Sequence, residues 1–194
     1  MPESKQASKQ ASKQVSKRNG WVFEGRCWKF GDNVPNDGGL MDKDVMSQLL
    51  EYNPKTLAPL VLNNIRPELA KECQPGDILV FGKRFAHGNP HIQGSLGMQG
   101  LGVGLIVEGM QRTTYRLLIS AGVPFIPYAE GIRDIVEDGD RVRMNAETGD
   151  VENLTNGKTM SFEPLPAFLL DVIEAGGSQG HLDKRLREEG KIPA

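Results

Sequence analysis

Apolar residues in this chain come in short runs separated by glycine, proline and asparagine, and their spacing predicts strands and helices in alternation. The segment RCWKFGD from Gly25 reads as a strand that ends in the turn-rich run GDNVPNDGG, and residues 43–52 carry a weak helical pattern. Pro54, Pro59 and Pro67 punctuate the next stretch, with an apolar segment at 60–65, before PGD at 75–77 launches the apolar strand 78–81. From there FGKRFAHGNPHIQGSLGMQGLGVGLIVEG runs through a glycine-bounded turn into a helix and out into an apolar strand at 102–107, the pattern of a βαβ unit. Asn89 before Pro90 suits an N-cap followed by proline at the first helical position, so the helix is predicted to start there. Gly94, Gly97 and Gly100 recur every three residues. That spacing is costly in an exposed helix, and it predicts a backbone packed hard against a neighbour. A second helix at 111–121 ends at Gly122 and leads into the apolar run 123–126. Residues 141–144 and 151–154 flank ETGD as a hairpin, with TNGK at 155–158 as the next turn. An amphipathic helix at 166–175, capped by Gly176 and Gly177, and a charged helix near 182–189 close the chain. The fold class is α/β, with a β-richer C-terminal part.

Composition narrows this picture. At 194 residues, 38% hydrophobic and 25% charged, the chain has an ordinary globular balance, which excludes a fibrous protein and one disordered throughout. No stretch approaches the roughly 20 apolar residues of a membrane helix, and no apolar secretory segment opens the chain. The expectation is a cytoplasmic protein with no membrane partner. The formal charge of −2 is unevenly spread: Lys5, Lys9, Lys13, Lys17 and Arg18 stand against Glu3 near the N-terminus, so the body is acidic and nucleic acid is not an expected partner. Residues 4–15 repeat as SKQA, SKQA, SKQV. Like charges four apart repel along a helix, and no apolar stripe offsets the ordering entropy. Residues 1–20 therefore read as a disordered basic tail, with a tether for an acidic surface as the other reading, and residues 21–194 as one domain.

Two cysteines, Cys27 and Cys73, cannot supply the four thiolates of a usual iron–sulfur cluster and read as reduced structural thiols, so no metal or cofactor is expected in this chain. The turn from His87 to His91 is the strongest local candidate for chemistry. A strand feeding a helix start directs N–H groups outward toward carboxylate or phosphate, His91 adds a donor, and His87 is an acid/base group. The other reading is two surface histidines in a polar turn. Arg112 and Arg116 lie four apart, so one helical face presents both forked guanidinium groups, for a carboxylate or for surface Asp and Glu partners. GVG at 102–104 sits inside a strand and lacks the placement of a dinucleotide fingerprint.

The whole pattern resembles the small subunit of 3-isopropylmalate dehydratase and the swivel domain of aconitase-type hydro-lyases. The resemblance spans residues 25–187 and rests on KFGDNVPND, PGDILVFGKRF, GVGLIVEG, RTTYR, AGVPFI and NLTNGKTMSFEPLPAFLLDVIEAGG. It implies a swivelling β/β/α domain that docks, as a heterodimer or heterotetramer, on a large subunit carrying an iron–sulfur (4Fe–4S) cluster. It further implies hydro-lyase chemistry, in which a hydroxyl moves between adjacent carbons of a hydroxy-polycarboxylate by dehydration and rehydration. The partner's cluster acts on the hydroxyl, while the small subunit holds carboxylates and handles a proton.

The active-site motifs are rewritten. Where the family has Gly-x-Gly-Ser-Ser-Arg-Glu, this chain has Ala86-His87-Gly88-Asn89-Pro90-His91-Ile92, so the serine falls on Asn89 and the arginine on His91. The family's Asp-Thr-Asp becomes Pro35-Asn36-Asp37, keeping Asp37. Arg112 of the family's Ser-Phe-Ala-Arg stretch is kept, and its Arg-Asn becomes Arg116-Leu117. An amide has no basic site, so Asn89 is no general base. The resemblance thus implies His87 and His91 as catalytic groups and Asp37, Asn89, His91, Arg112 and Arg116 as substrate-binding groups. The alternative is a non-catalytic carboxylate-binding or regulatory subunit with a degenerate turn.

Overall fold

Strand β1 (Val22–Lys29) is shared by two kinds of pairing. Its first half, Val22 to Arg26, runs antiparallel to β5 (Arg141–Asn145), and its second half, Cys27 to Lys29, runs parallel to β2 (Ile78–Phe81). Around it the computed structural model, which describes residues 21–49 and 51–193, builds a seven-stranded sheet in the order β4-β3-β2-β1-β5-β6-β7. The tail read at 1–20 lies outside the described residues. On one side stand β3 (Gly104–Val107) and β4 (Phe125–Ile126), all parallel. On the other, β6 (Asp150–Asn153) and β7 (Thr159–Ser161) extend an antiparallel meander.

Burial follows from that division. β2 and β3 are buried at every position, as parallel strands covered on both faces must be. β5 alternates, with Val142 and Met144 inward and Arg141 and Arg143 outward. Arg141 and Arg143 both pair with Glu24 across the strand, and Arg143 also reaches Glu152. One apolar cluster runs through the sheet, centred on Trp28, Phe81, Phe85 and Phe125.

The helices are α1 (Lys43–Gln48), α2 (Pro54–Leu57), α3 (Leu69–Glu72), α4 (Gln93–Leu101), α5 (Arg112–Ala121), α6 (Ala167–Glu174) and α7 (Ser178–Glu188). The weak pattern at 43–52 yields only α1: Asp42 caps it through Asp44 N–H, and Leu49 turns extended. Asn53 and Pro54 then start α2 as cap and first residue. α5 ends as expected, with Gly122 left-handed at φ 72°.

The start of α4 corrects the sequence reading. Asn89 does not cap it: the flanking residue is Ile92, and residues 87–91 stay non-helical. The reason is tertiary, since His87 pairs with Pro35 and the Asn89 amide reaches Asp37. The turn is therefore not the first turn of a helix, and the expected row of helical N–H groups lies beyond it, on Gln93, Gly94 and Ser95, all buried.

The glycine spacing in α4 is explained by contact. A Cβ on Gly94 would lie 2.9 Å from Leu40 Cβ, one on Gly97 would collide with Val61 Cγ2, and one on Gly100 with the Pro54 carbonyl. Exposed helical Gly→Ala changes gain roughly 1 kcal/mol from propensity. Here overpacking should reverse the sign, so Gly100→Ala is expected to lose about 1–3 kcal/mol. Urea denaturation midpoints of the two proteins measure it.

Candidate active site

The β1–β2 pairing continues past both strand ends as an irregular ladder. Phe30 N–H donates to the Val80 carbonyl (2.8 Å), Asn33 N–H to Lys83 (2.9 Å) and Asn36 N–H to His87 (2.8 Å). This carries the loops after β1 and β2 side by side at the C-terminal edge of the parallel strands, where α/β sheets place their ligands. The ladder brings Asp37, His87, Asn89 and His91 together.

Asp37 is the centre of this group. Asn89 Nδ2 donates to its Oδ2 (3.3 Å), and His91 Nε2 lies 3.4 Å from its Oδ1. That oxygen is buried and accepts no hydrogen bond among the described residues. Its nearest partner is thus the His91 imidazole, an ion pair when that ring is protonated. Asn36 behaves alike: it is 1% exposed, donates through Nδ2 to the His91 carbonyl (3.2 Å), and leaves Oδ1 unpartnered. His87 Nε2 stands 3.3 Å from the Asn33 carbonyl, beside the group without touching Asp37.

The turn is conformationally strained. Arg84 (φ 59°), Ala86 (φ 49°) and Gly88 (φ 99°) are all left-handed, and only the last is glycine. Ala86 is buried, and its carbonyl accepts from Thr114 Oγ1 at 2.9 Å, which hooks the turn to the start of α5. Sequence reasoning missed Asn36 and Thr114; the first sits within the rewritten Pro35-Asn36-Asp37 motif and was legible there, the second was not.

Arg112 and Arg116 share one face of α5, as their spacing requires, and line a cleft of about 650 Å³ with Tyr115, Ile119, Tyr128, Glu163 and Leu169. No hydrogen bond or ion pair joins either guanidinium to His91 among the described residues. The predicted site residues therefore form two groups, one at the turn and one in the cleft, linked through Thr114 and through the Phe85–Met110 bridge.

The same edge is tied by ions. Arg133 bonds Glu108 (2.9 Å) and Asp32 (2.7 Å), Asp32 accepts from Lys83 N–H (2.8 Å), and Lys83 pairs with Glu130 (3.0 Å). Glu108 above all holds the Arg133 guanidinium above its ordinary value. Four loops are joined by this knot.

Among the described residues no three His, Cys, Asp or Glu side chains gather as metal ligands, and no helix is long and apolar enough to cross a membrane. Burial pushes the Cys27 thiol up to about 12, helped by Asp138, and pushes Cys73 up to about 12, helped by Asp77.

A parallel sheet of this order, extended by an antiparallel meander and carrying its polar groups on loops after β1 and β2, is the swivel-domain architecture of a hydro-lyase small subunit. No family profile matches the chain. It is 36% identical over 168 residues to the isopropylmalate/citramalate isomerase small subunit of Methanocaldococcus jannaschii, covering 86% of this chain and 97% of that one. It is 35% identical to a 3-isopropylmalate dehydratase small subunit of Thermotoga maritima, over 84% of this chain and 96% of the other. The crystal structure of a 3-isopropylmalate dehydratase from Methanocaldococcus jannaschii superposes with a TM-score of 0.77 at 25% identity, over 88% of this chain and 98% of that one. The chain belongs to the family of 3-isopropylmalate dehydratase small subunits. It is thus a small subunit of a dehydratase, a family whose members work with a large subunit.

The thiols give a test of the electrostatics. A raised folded pKa means that the native protein retains protons the unfolded chain has released, so these groups weaken stability as pH rises from about 9 toward 12. The native protein at pH 8 should react with a disulfide reagent at roughly a tenth or less of the rate of the urea-unfolded chain. Stopped-flow or manual thiol titration measures both.

Proposed function

We propose that this chain acts with an iron–sulfur large subunit on a substituted hydroxy-polycarboxylate of the isopropylmalate type, dehydrating and rehydrating it. The observation that carries the reading is the convergence of Asn89 and His91 on the Asp37 carboxylate, on paired loops at one edge of the sheet. Relatives named for isopropylmalate support the substrate class.

In this reading His91 and the Asn89 amide hold one substrate carboxylate by donated hydrogen bonds, while Asp37 fixes both groups from behind. Arg112 and Arg116 hold the other carboxylate from the cleft. His87, free of Asp37 and set against the Asn33 carbonyl, moves the proton in place of the family's serine. Cys27 and Cys73 are too few for a four-thiolate cluster, so in this reading the cluster is carried by the large subunit. It supplies a Lewis acid at the substrate hydroxyl.

The amide at Asn89 favours a second reading, since a site without the family's serine also fits a carboxylate-binding regulatory subunit. Reconstitution with the large subunit separates the two. His91→Ala, Asp37→Asn and His87→Gln should each lower kcat/KM for isopropylmalate by about tenfold or more, with His87→Gln acting on kcat and His91→Ala chiefly on KM. Unchanged kinetics in a variant would remove that residue from the site. A stable complex with no turnover of any diacid would establish the regulatory reading.

A further inference from the structure

The loop after β1 grips His87 at several points. The His87 carbonyl accepts from the Asn36 N–H (2.8 Å), its main chain bridges to Pro35, and its ring Nε2 lies 3.3 Å from the Asn33 carbonyl. Its neighbours fix the main chain further: Ala86 (φ 49°) is tied to α5 through Thr114, and Gly88 (φ 99°) is also left-handed. What remains free is rotation of the ring, and among the described residues the Asn33 carbonyl is its one hydrogen-bond partner.

A carbonyl oxygen only accepts, so the ring must donate. Neutral imidazole has one N–H and one bare nitrogen, and the bond made by the first decides which nitrogen is left bare. Here Nε2 carries the proton, and Nδ1 makes no hydrogen bond among the described residues. Asn33 sits at φ 59°, a left-handed backbone that asparagine and glycine adopt and β-branched residues rarely do. Its side chain is exposed and bonds nothing among the described residues, so contacts of the carboxamide do not account for an asparagine at this position. The chain around it is anchored: Asn33 N–H donates to the Lys83 carbonyl (2.9 Å), Asp32 meets Arg133 (2.7 Å), and Val34 is buried. Such conformations persist where the surroundings over-determine them, and they gather at functional sites.

We infer that Asn33 is a positioning residue of this site: its main-chain carbonyl holds the His87 Nε2–H and leaves Nδ1 as the atom that takes and returns the substrate's proton. The inference rests on the proposed proton-transfer role of His87 and adds the reacting atom and what selects it. In dehydration the proton passes from a substrate carbon to Nδ1, the C–H electron pair becomes the new double bond, and the hydroxyl leaves the adjacent carbon with its bonding pair. Rehydration reverses each change. The ring is a cation between the two, and the Asn33 carbonyl still accepts from its Nε2–H, which favours that charged form.

Backbone variants separate this role from a scaffold role. Asn33→Gly keeps the left-handed conformation, Asn33→Val opposes it, and Asn33→Ala should fall between them. Long-range proton–nitrogen correlation spectra of the full chain alone, with the ring deprotonated, should show His87 protonated at Nε2 in the wild type and in Asn33→Gly; the His87 signals are those missing from His87→Gln. Asn33→Val should speed exchange of that ring proton by roughly tenfold or more. In the complex reconstituted with the large subunit, Asn33→Val should lower kcat for isopropylmalate about tenfold with KM held within about threefold, and Asn33→Gly should restore kcat to within about threefold of the wild type. In the His87→Gln background Asn33→Val should cost less than about threefold, because the group it positions is gone. A ring protonated at Nδ1, a ring proton unaffected by Asn33→Val, or a valine effect that persists undiminished without His87 overturns the inference and leaves the hydro-lyase reading standing. No turnover of any diacid, with the ring contact intact in the spectra, overturns the hydro-lyase reading and the proton-transfer role of Nδ1, while the hold of Asn33 on the ring stands.

Discussion

The carboxylate of Asp77 fixes the register on which the site depends. It is 6% exposed and accepts three N–H bonds, from the Arg26 amide (2.9 Å), the Trp28 indole (2.9 Å) and the Gln74 amide (3.0 Å). Arg26 is the residue at which β1 changes partner from β5 to β2. A buried carboxylate with several charge-assisted bonds tolerates little displacement, because each lost bond leaves an unsatisfied group in a low-dielectric interior. Gly25 is required beside it: a Cβ there would lie 2.6 Å from Asp77 Oδ1. Arg26 lies over the Trp28 ring at 4.0 Å and closes the same junction. With Cys27 opposite Ile78 the pairing runs in register to Lys29 and Val80, and after one extra residue on the second strand's side it reaches Pro35 and His87.

The far end of the ladder is held by the ion knot of Asp32, Lys83, Glu108, Glu130 and Arg133. Its inner member, Glu108, has a side chain only 6% exposed and meets Arg133 through two bonds, so this pair is screened far less than an exterior one. Removing Arg133 would strand the buried Glu108 charge, whereas Arg133 without Glu108 would keep Asp32. The knot and the Thr114–Ala86 bond together hold Arg84 and Ala86 in left-handed conformations that each cost roughly 1–2 kcal/mol. Strain of this kind persists only where the surroundings over-determine the backbone.

Chemistry in this fold has been redistributed while the scaffold has been kept. The strand order, the βαβ units and the superposition with a family crystal structure keep the edge at which α/β sheets place their ligands. At that edge Asp37 is kept, while Asn89, Pro90 and His91 stand where the resemblance places two serines and an arginine. Loops at the C-terminal ends of parallel strands change residues at little cost to the core, since the strands that position them are buried on both faces by aliphatic side chains.

The sequence by itself determined the order of elements, because each long strand or helix carries its own periodicity and its own stop signals. PGD before β2, Gly122 after α5 and the ETGD hairpin are local chemistry and were legible as such. So was the shared face of Arg112 and Arg116, which helix geometry alone imposes. The tertiary structure decided where α4 begins, since pairing of His87 with Pro35 and of Asn89 with Asp37 outweighs a good N-cap signal worth about 1 kcal/mol. It also decided that Asn36 Oδ1 is buried without a hydrogen bond, that His91 and Asn89 meet Asp37, and that Tyr128 and Glu163 line one cleft with the α5 arginines. Those facts join residues 12 to 55 positions apart, and no local pattern encodes a contact whose free energy comes from elements that only the folded sheet brings together.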